Sequence, residues 1–128
     1  LHNPGQQVVY FVINLNKRKK DIRNLVKQIE NTIIKFLKIY KIKSYADRKN
    51  IGIWVEKRKI AAIGIRVTRW IAYHGFSINV ENNLNDYKKI IPCGLDNQKI
   101  TSIKNEKKII KNIKKNLKRI FLEHLKRV

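Results

Sequence analysis

A single cysteine among 128 residues narrows the covalent chemistry open to this chain. Cys93 sits in Ile91-Pro92-Cys93-Gly94, and with no second cysteine it has no disulfide partner within the chain. Nucleophile, metal ligand and inert packing remain. Upstream, Lys59 opens the run Lys59-Ile60-Ala61-Ala62-Ile63-Gly64-Ile65-Arg66, and Tyr73-His74-Gly75 lies between the two. A thiol at its free pKa is only a few per cent thiolate near neutral pH, and a neighbouring ammonium raises that fraction. A Cys–Lys pair of this kind needs neither metal nor nucleotide. Lys59 and Cys93 are 34 residues apart, so their contact has to come from the fold. Each residue also has an ordinary reading. A cysteine beside glycine is commonly a small packed hydrophobe, and a lysine among 30 basic residues is commonly a solvated one. His2, His74 and His124 show no metal-ligand spacing, and a lone thiol cannot build a multi-thiolate zinc site. His124 falls on the apolar side of a terminal helical pattern, where a structural role is expected.

The elements that must position these residues are written in the hydrophobic period. Gln7 to Leu15 is a nearly continuous β-branched and aromatic run after Pro4-Gly5, which predicts a buried strand. From Asp21, a plausible cap, Ile22, Leu25, Val26, Ile29, Ile33, Phe36, Leu37 and Tyr40 follow helical spacing over about five turns. Ile51, Ile53 and Val55 alternate, Glu56-Lys57-Arg58 reads as a turn, and Lys59 to Val67 alternates again, predicting an antiparallel hairpin. Phe76, Ile78 and Val80 predict a further strand after His74-Gly75. Leu84 to Ile90 reads as a short helix ended by Pro92, which puts Cys93 in a loop. From about Asn105 to Val128 the pattern is again helical, with a strongly basic outer face. The fold class is therefore α/β (α+β), a mixed sheet covered by two long amphipathic helices within one domain spanning 1–128.

Composition bounds the function less tightly. With 43% hydrophobic residues the chain can build a core, and no apolar run is long enough to span a bilayer. The lone cysteine and the absence of a signal peptide predict a reducing, cytoplasmic setting without a membrane role. Thirty basic against nine acidic residues give a formal net charge of +21, the kind of excess that binds nucleic acid. Yet the lysines are spread along the chain among Ile and Asn, as AT-rich coding would impose, and no helix-turn-helix, RRM or zinc signature accompanies them. Such charge also steers acidic protein partners. The chain contains no Met and begins at Leu1, which predicts a processed start or a missing N-terminal part.

Taken together and in order, Lys59-Ile60-Ala61-Ala62-Ile63-Gly64-Ile65-Arg66, Tyr73-His74-Gly75 and Pro92-Cys93-Gly94 resemble the core of the lipoate-pathway octanoyltransferases. Leu1-His2-Asn3-Pro4-Gly5-Gln6 is similar to that family's Tyr-His-Gly-Pro-Gly-Gln, so the likeness runs from about His2 to Leu95. Asn3, Trp70 and Ile91 depart from the family pattern, which has Gly, Gly and Asn there. The resemblance implies the catalytic-domain fold of the biotin/lipoate protein ligases, and a partial catalytic domain whose N-terminal portion, including an Arg-Gly-Gly stretch, is absent. It implies an acyltransferase that moves octanoyl from octanoyl-acyl carrier protein to a lysine of the lipoyl domains of 2-oxoacid dehydrogenases or of the glycine-cleavage H protein. Cys93 would be the nucleophile and Lys59 its acid–base partner. His2, Ala62, Ile63, Gly64, His74, Gly75, Phe76 and Ser77 would bind substrate, with bare backbone at Gly64 and Gly75 able to approach the acyl carbonyl as an oxyanion hole. No cofactor and no metal are implied, no Gly-rich phosphate loop is present to activate an acid with ATP, and a monomer without specific nucleic-acid binding is expected. An inactive truncated remnant, or a small basic nucleic-acid-binding domain, is the alternative.

Overall fold

The computed structural model describes residues 4–83, 99–106 and 108–128. Strand β1 (Gln6–Asn14) leads through a short 3-10 turn at Leu15–Lys17 to helix α1 (Ile22–Ile39). There follow β2 (Tyr45–Ala46), β3 (Ile53–Val55), β4 (Arg58–Thr68), β5 (Ile71–Asn79), β6 (Lys99–Ile100) and helix α2 (Ile113–Leu125). The sheet runs β1-β5-β4-β3-β2 with every neighbouring pair antiparallel, and β6 adds a parallel pairing to β4. It is a mixed sheet with two helices, as the hydrophobic periods predict.

Helix α1 forms as its sequence dictates. The Asp21 carboxylate accepts from Asn24 N–H at 3.0 Å, a cap that contributes about 1 kcal/mol. Leu25, Ile29, Ile33, Phe36 and Leu37 are essentially inaccessible to solvent and form the centre of the core. Helix α2 packs beside α1, with Phe121 stacked on Phe11 of β1 at 5.9 Å and edge-on to Phe76 of β5 at 5.8 Å. Arg18 Nη1 and Asn24 Nδ2 donate to the carbonyls of Leu125 and Arg127, so the start of α1 satisfies acceptors at the end of α2. His124 is buried and its Nδ1 donates to the Ile120 carbonyl at 2.8 Å, a structural placement.

Three sequence expectations need correction. The strand predicted from Phe76 begins at Ile71, so His74 and Gly75 lie inside β5. The cause is the hairpin turn: Thr68 pairs with Ile71, and the two intervening residues, Arg69 (φ 51°) and Trp70 (φ 66°), both adopt the left-handed conformation of a type I′ turn. Neither residue advertises such a turn. The closing helix starts at Ile113 and not near Asn105, because Ser102, Thr101 and Asn105 bond among themselves and to the neighbouring backbone. Ile103 is fully buried there, its N–H donating to Asn79 O, and Asn112 at φ 55° marks the later start. Strand β1, expected to be buried, stands at the end of the strand order and turns Tyr10 (66% exposed) and Val12 (76% exposed) to the face opposite the helices, leaving Ile13 as its one buried residue. Beyond these, strands β2 and β6 are two residues each, too short for alternation to reveal them. The expected helix at Leu84–Ile90 and the loop at Pro92 lie outside the described residues.

The centre of the sheet depends on a close approach. Gly75 stands between Tyr10 of β1 and Gly64 of β4 in register. With φ +158° it is extended, but a β-carbon there would lie 1.9 Å from the Val9 carbonyl oxygen, a backbone atom that cannot yield without breaking the pairing. Gly64 has nothing within 4 Å of its β-carbon position among the described residues. Gly75→Ala is therefore expected to cost about 3 kcal/mol or more in urea unfolding, while Gly64→Ala stays within about 0.5 kcal/mol of the parent. Equal costs would show that β1 and β5 are not so closely apposed. At the hairpin, Trp70→Gly relieves a left-handed conformation worth about 1–2 kcal/mol. It gives up the contact of Lys20 Nζ, 5.9 Å over the indole, and the partial cover of a side chain that is 37% exposed; with the strain the larger of the two the melting temperature should rise, and a fall would show that the packing outweighs it.

Candidate functional site

The antiparallel register gathers most of the sequence-predicted binding residues at one place. Val8 and Tyr10 of β1, Ser77 and Gly75 of β5, and Ala62 and Gly64 of β4 are mutually in register across three strands, since side chains two residues apart share a sheet face. With Ile63, Ile65, Arg66, His74 and Phe76 they line an open groove of about 550 Å³. Seven predicted substrate-binding residues thus meet: Ala62, Ile63, Gly64, His74, Gly75, Phe76 and Ser77. Val8, Tyr10, Ile65 and Arg66 join them, and the signals that find these are the register of β1 against β5 for the first two and of β4 against β5 for the others. His74 holds a left-handed φ of 74° inside the strand and is exposed, with its ring 4.8 Å from that of Tyr73. Gly64 and Gly75 face each other inside the ladder, where main-chain N–H groups are the bonding groups of the sheet itself.

Lys59 is not among the groove-lining residues; it lies three residues before Ala62 on β4. Opposite it in register stands Trp54 of β3, with Lys59 Nζ 6.0 Å from the indole centroid. Ile53 pairs with Ala61 whereas the next residue, Trp54, pairs with Lys59, so Ile60 is an extra residue, a β-bulge. Bulges re-aim side chains, and this one sits directly beside Lys59. Burial pushes the Lys59 ammonium below the ordinary lysine pKa. On the main chain, Lys59 is opposite Ile100 of β6 and its carbonyl accepts from Thr101 N–H at 2.9 Å. Arg58 Nη2 reaches Glu106 at 3.7 Å, and Thr101 Oγ1 donates to the same carboxylate. The start of β4 is thereby tied to the chain that emerges at Lys99. Cys93 and His2 lie outside the described residues. Among the described residues no three His, Cys, Asp or Glu side chains gather as a metal site, and no helix is long and apolar enough to cross a membrane.

The fold has known counterparts. In overall fold the chain is similar to a lipoate-protein ligase A bound with ATP, with a TM-score of 0.80 at 13% identity, covering 97% of this chain and 53% of that one. It is also similar to the biotin protein ligase from Aquifex aeolicus, at a TM-score of 0.72 and 16% identity over 96% of this chain and 54% of that one. At such identities the likeness is one of fold, the biotin/lipoate protein ligase catalytic-domain architecture. In sequence it is 44% identical to an octanoyltransferase of Rickettsia rickettsii (strain Sheila Smith), over 80% of this chain and 52% of the relative. An octanoyltransferase of Rickettsia canadensis (strain McKiel) is 45% identical over the same shares. The chain spans about half the length of the curated relatives it matches. The family model described as lipoyl protein ligase A/B catalytic domain matches residues 1–126, and with fold and sequence in agreement the chain belongs to that family.

Proposed function

We propose that this chain is part of the catalytic domain of an octanoyltransferase of lipoate biosynthesis, acting through an acyl-thioester on Cys93. The observation that carries the reading is the placement of Lys59, half-buried beside Trp54 on a strand whose β6 neighbour continues the segment bearing Cys93, with the same burial holding its ammonium below the ordinary lysine pKa. Cys93 precedes Lys99 by six residues. Six residues span at most about 20 Å when extended, so covalent reach permits the sulfur to approach Lys59. The name of the octanoyltransferase relatives points to octanoyl as the group carried, and the open backbone at Gly64 leaves the groove room for an alkyl chain.

The chemistry needs Lys59 in both protonation states. As ammonium it stabilises the Cys93 thiolate; as amine it takes a proton. A pKa below the ordinary lysine value brings the two states nearer to one another at working pH. Cys93 Sγ attacks the octanoyl thioester on the phosphopantetheine arm of acyl carrier protein, the S–C bond to the carrier breaks, and the carrier thiol leaves with the proton held at Lys59. The lysine amine of a lipoyl domain, or of the glycine-cleavage H protein, then attacks the acyl-Cys93 thioester. An amide forms, the Cys93 thiolate leaves, and Lys59 accepts the proton of the incoming amine. The +21 charge suits an acidic carrier as donor. The proposed setting is a cytoplasmic monomer.

Two measurements test this. Incubation with octanoyl-acyl carrier protein should add one octanoyl mass that hydroxylamine removes, and Cys93→Ser should abolish both the adduct and transfer to a lipoyl domain. Transfer surviving in Cys93→Ser would remove the nucleophile assignment. Separately, Lys59→Ala should slow alkylation of Cys93 by iodoacetamide near neutral pH, where the lost ammonium had held the thiol ionised. The rates should converge as pH passes the free thiol value of about 8.5. Superimposable pH–rate curves would make Lys59 a bystander to the thiol.

A further inference from the structure

Lys59 crosses the place just before β3 where Gly52 leaves no side chain. Gly52, buried and at φ +135°, immediately precedes β3. A β-carbon there would lie 2.5 Å from Lys59 Cε and 3.3 Å from Nζ, and 2.8 Å from the Ala61 carbonyl oxygen. The lysine stem therefore occupies the volume that any other residue at 52 would fill. Across the pairing, Trp54 is only 8% exposed, and its Nε1 donates to the Asn50 carbonyl at 3.0 Å, which fixes the plane of the ring that Nζ faces. The bulge at Ile60 and the Thr101 N–H bond to the Lys59 carbonyl fix the backbone from which the stem departs. A lysine side chain is ordinarily a flexible, well-hydrated charge with large rotamer entropy. Here its far end is confined from two sides.

We propose that Gly52 and Trp54 are positioning residues for Lys59, Gly52 leaving open the channel its stem crosses and Trp54 walling that channel on the other side. The catalytic meaning of this rests on the reading of Lys59 as partner of Cys93, but the positioning itself is measurable without any acyl transfer. The confinement explains why burial reaches a lysine on a chain with 30 basic residues. It also presents the amine already ordered, so that less side-chain entropy is lost when it meets its partner.

The test compares thermal melts of the parent, Gly52→Ala, Lys59→Ala and the double variant. The clash with Ala61 O and the left-handed φ are present in both backgrounds and cancel. Gly52→Ala should lower the melting temperature more in the parent, where Lys59 is present, than in the Lys59→Ala background, by roughly 2–10 °C; equal drops overturn the role of Gly52. Trp54→Leu is followed by mass-spectrometric labelling with an amine-reactive ester across pH. Lys59 should label at lower pH than the surface lysines in the parent, and the variant should shift its midpoint upward toward theirs as water reaches Nζ. An unmoved midpoint in a folded Trp54→Leu protein overturns the proposal, and this arm decides alone should neither Gly52→Ala protein fold. Octanoyl transfer by the same variants separates the two levels. A shifted midpoint with intact transfer upholds positioning and removes Lys59 from the reaction, whereas lost transfer with an unmoved midpoint counts against positioning.

Discussion

At its start, Arg58–Ala61, strand β4 has partners on both edges, and the short elements around it are arranged to make that possible. A central strand exposes N–H and C=O groups on two sides, and leaving them unpaired in a protein interior costs as much as a lost hydrogen bond each. One edge is met by β3. The other is met by β5 as far as Ala61–Ile78, and where β5 ends, β6 takes over at Arg58 and Lys59. That handover brings a remote stretch of sequence against a lysine with a depressed pKa, and it is anchored by the Thr101, Asn79 and Glu106 side chains. Asn79 Nδ2 donates to the Thr101 carbonyl at 3.1 Å, binding the end of β5 to the exit of β6.

Placing Lys59 this way opposes stability. A lysine whose folded pKa lies below its unfolded value of about 10.4 disfavours the folded state at every pH below that value, since the unfolded chain holds the proton more tightly. The penalty disappears only above that range, where both states are neutral. The surrounding core offsets it: Phe36, Ile33 and Ile60 are fully buried, and truncating a buried side chain of this size costs about 2–5 kcal/mol. The fold thus holds the amine at a protonation balance that a surface lysine would not have.

The sequence shows the long elements and hides the short ones, for physical reasons. Helix α1 is legible because a repeating apolar face over 18 residues has few alternative explanations, and the β-branched run of β1 marks a strand while concealing that one of its faces is exposed. The hairpin turn at Arg69-Trp70 is not, because left-handed φ values at two non-glycine residues contradict local preference and are imposed by Leu15 N–H and Asn16 Nδ2, which hold the Trp70 and Arg69 carbonyls. Strand β6 is invisible because pairing with β4, and not its own two residues, defines it. For the candidate site, the motif that runs from Ala62 to Arg66 and the His74-Gly75-Phe76-Ser77 run are each readable. Their meeting is a property of register, and the register follows from a turn that composition does not disclose. Gly52 and Trp54 escape sequence reasoning altogether, since a glycine before a strand and a buried tryptophan each have commoner uses.

The two feet of the stretch between Asn83 and Lys99 are fastened to one another. Ile103 N–H meets Asn79 O at 3.0 Å and Lys104 N–H meets Val80 O at 2.8 Å, so the chain leaves the sheet and returns to nearly the same spot. Closure entropy for such an excursion grows only by about 0.6 kcal/mol for each doubling of its length. Because both fastenings are main-chain bonds, substituting the side chains of Asn79, Val80, Ile103 or Lys104 leaves the bonding groups themselves in place.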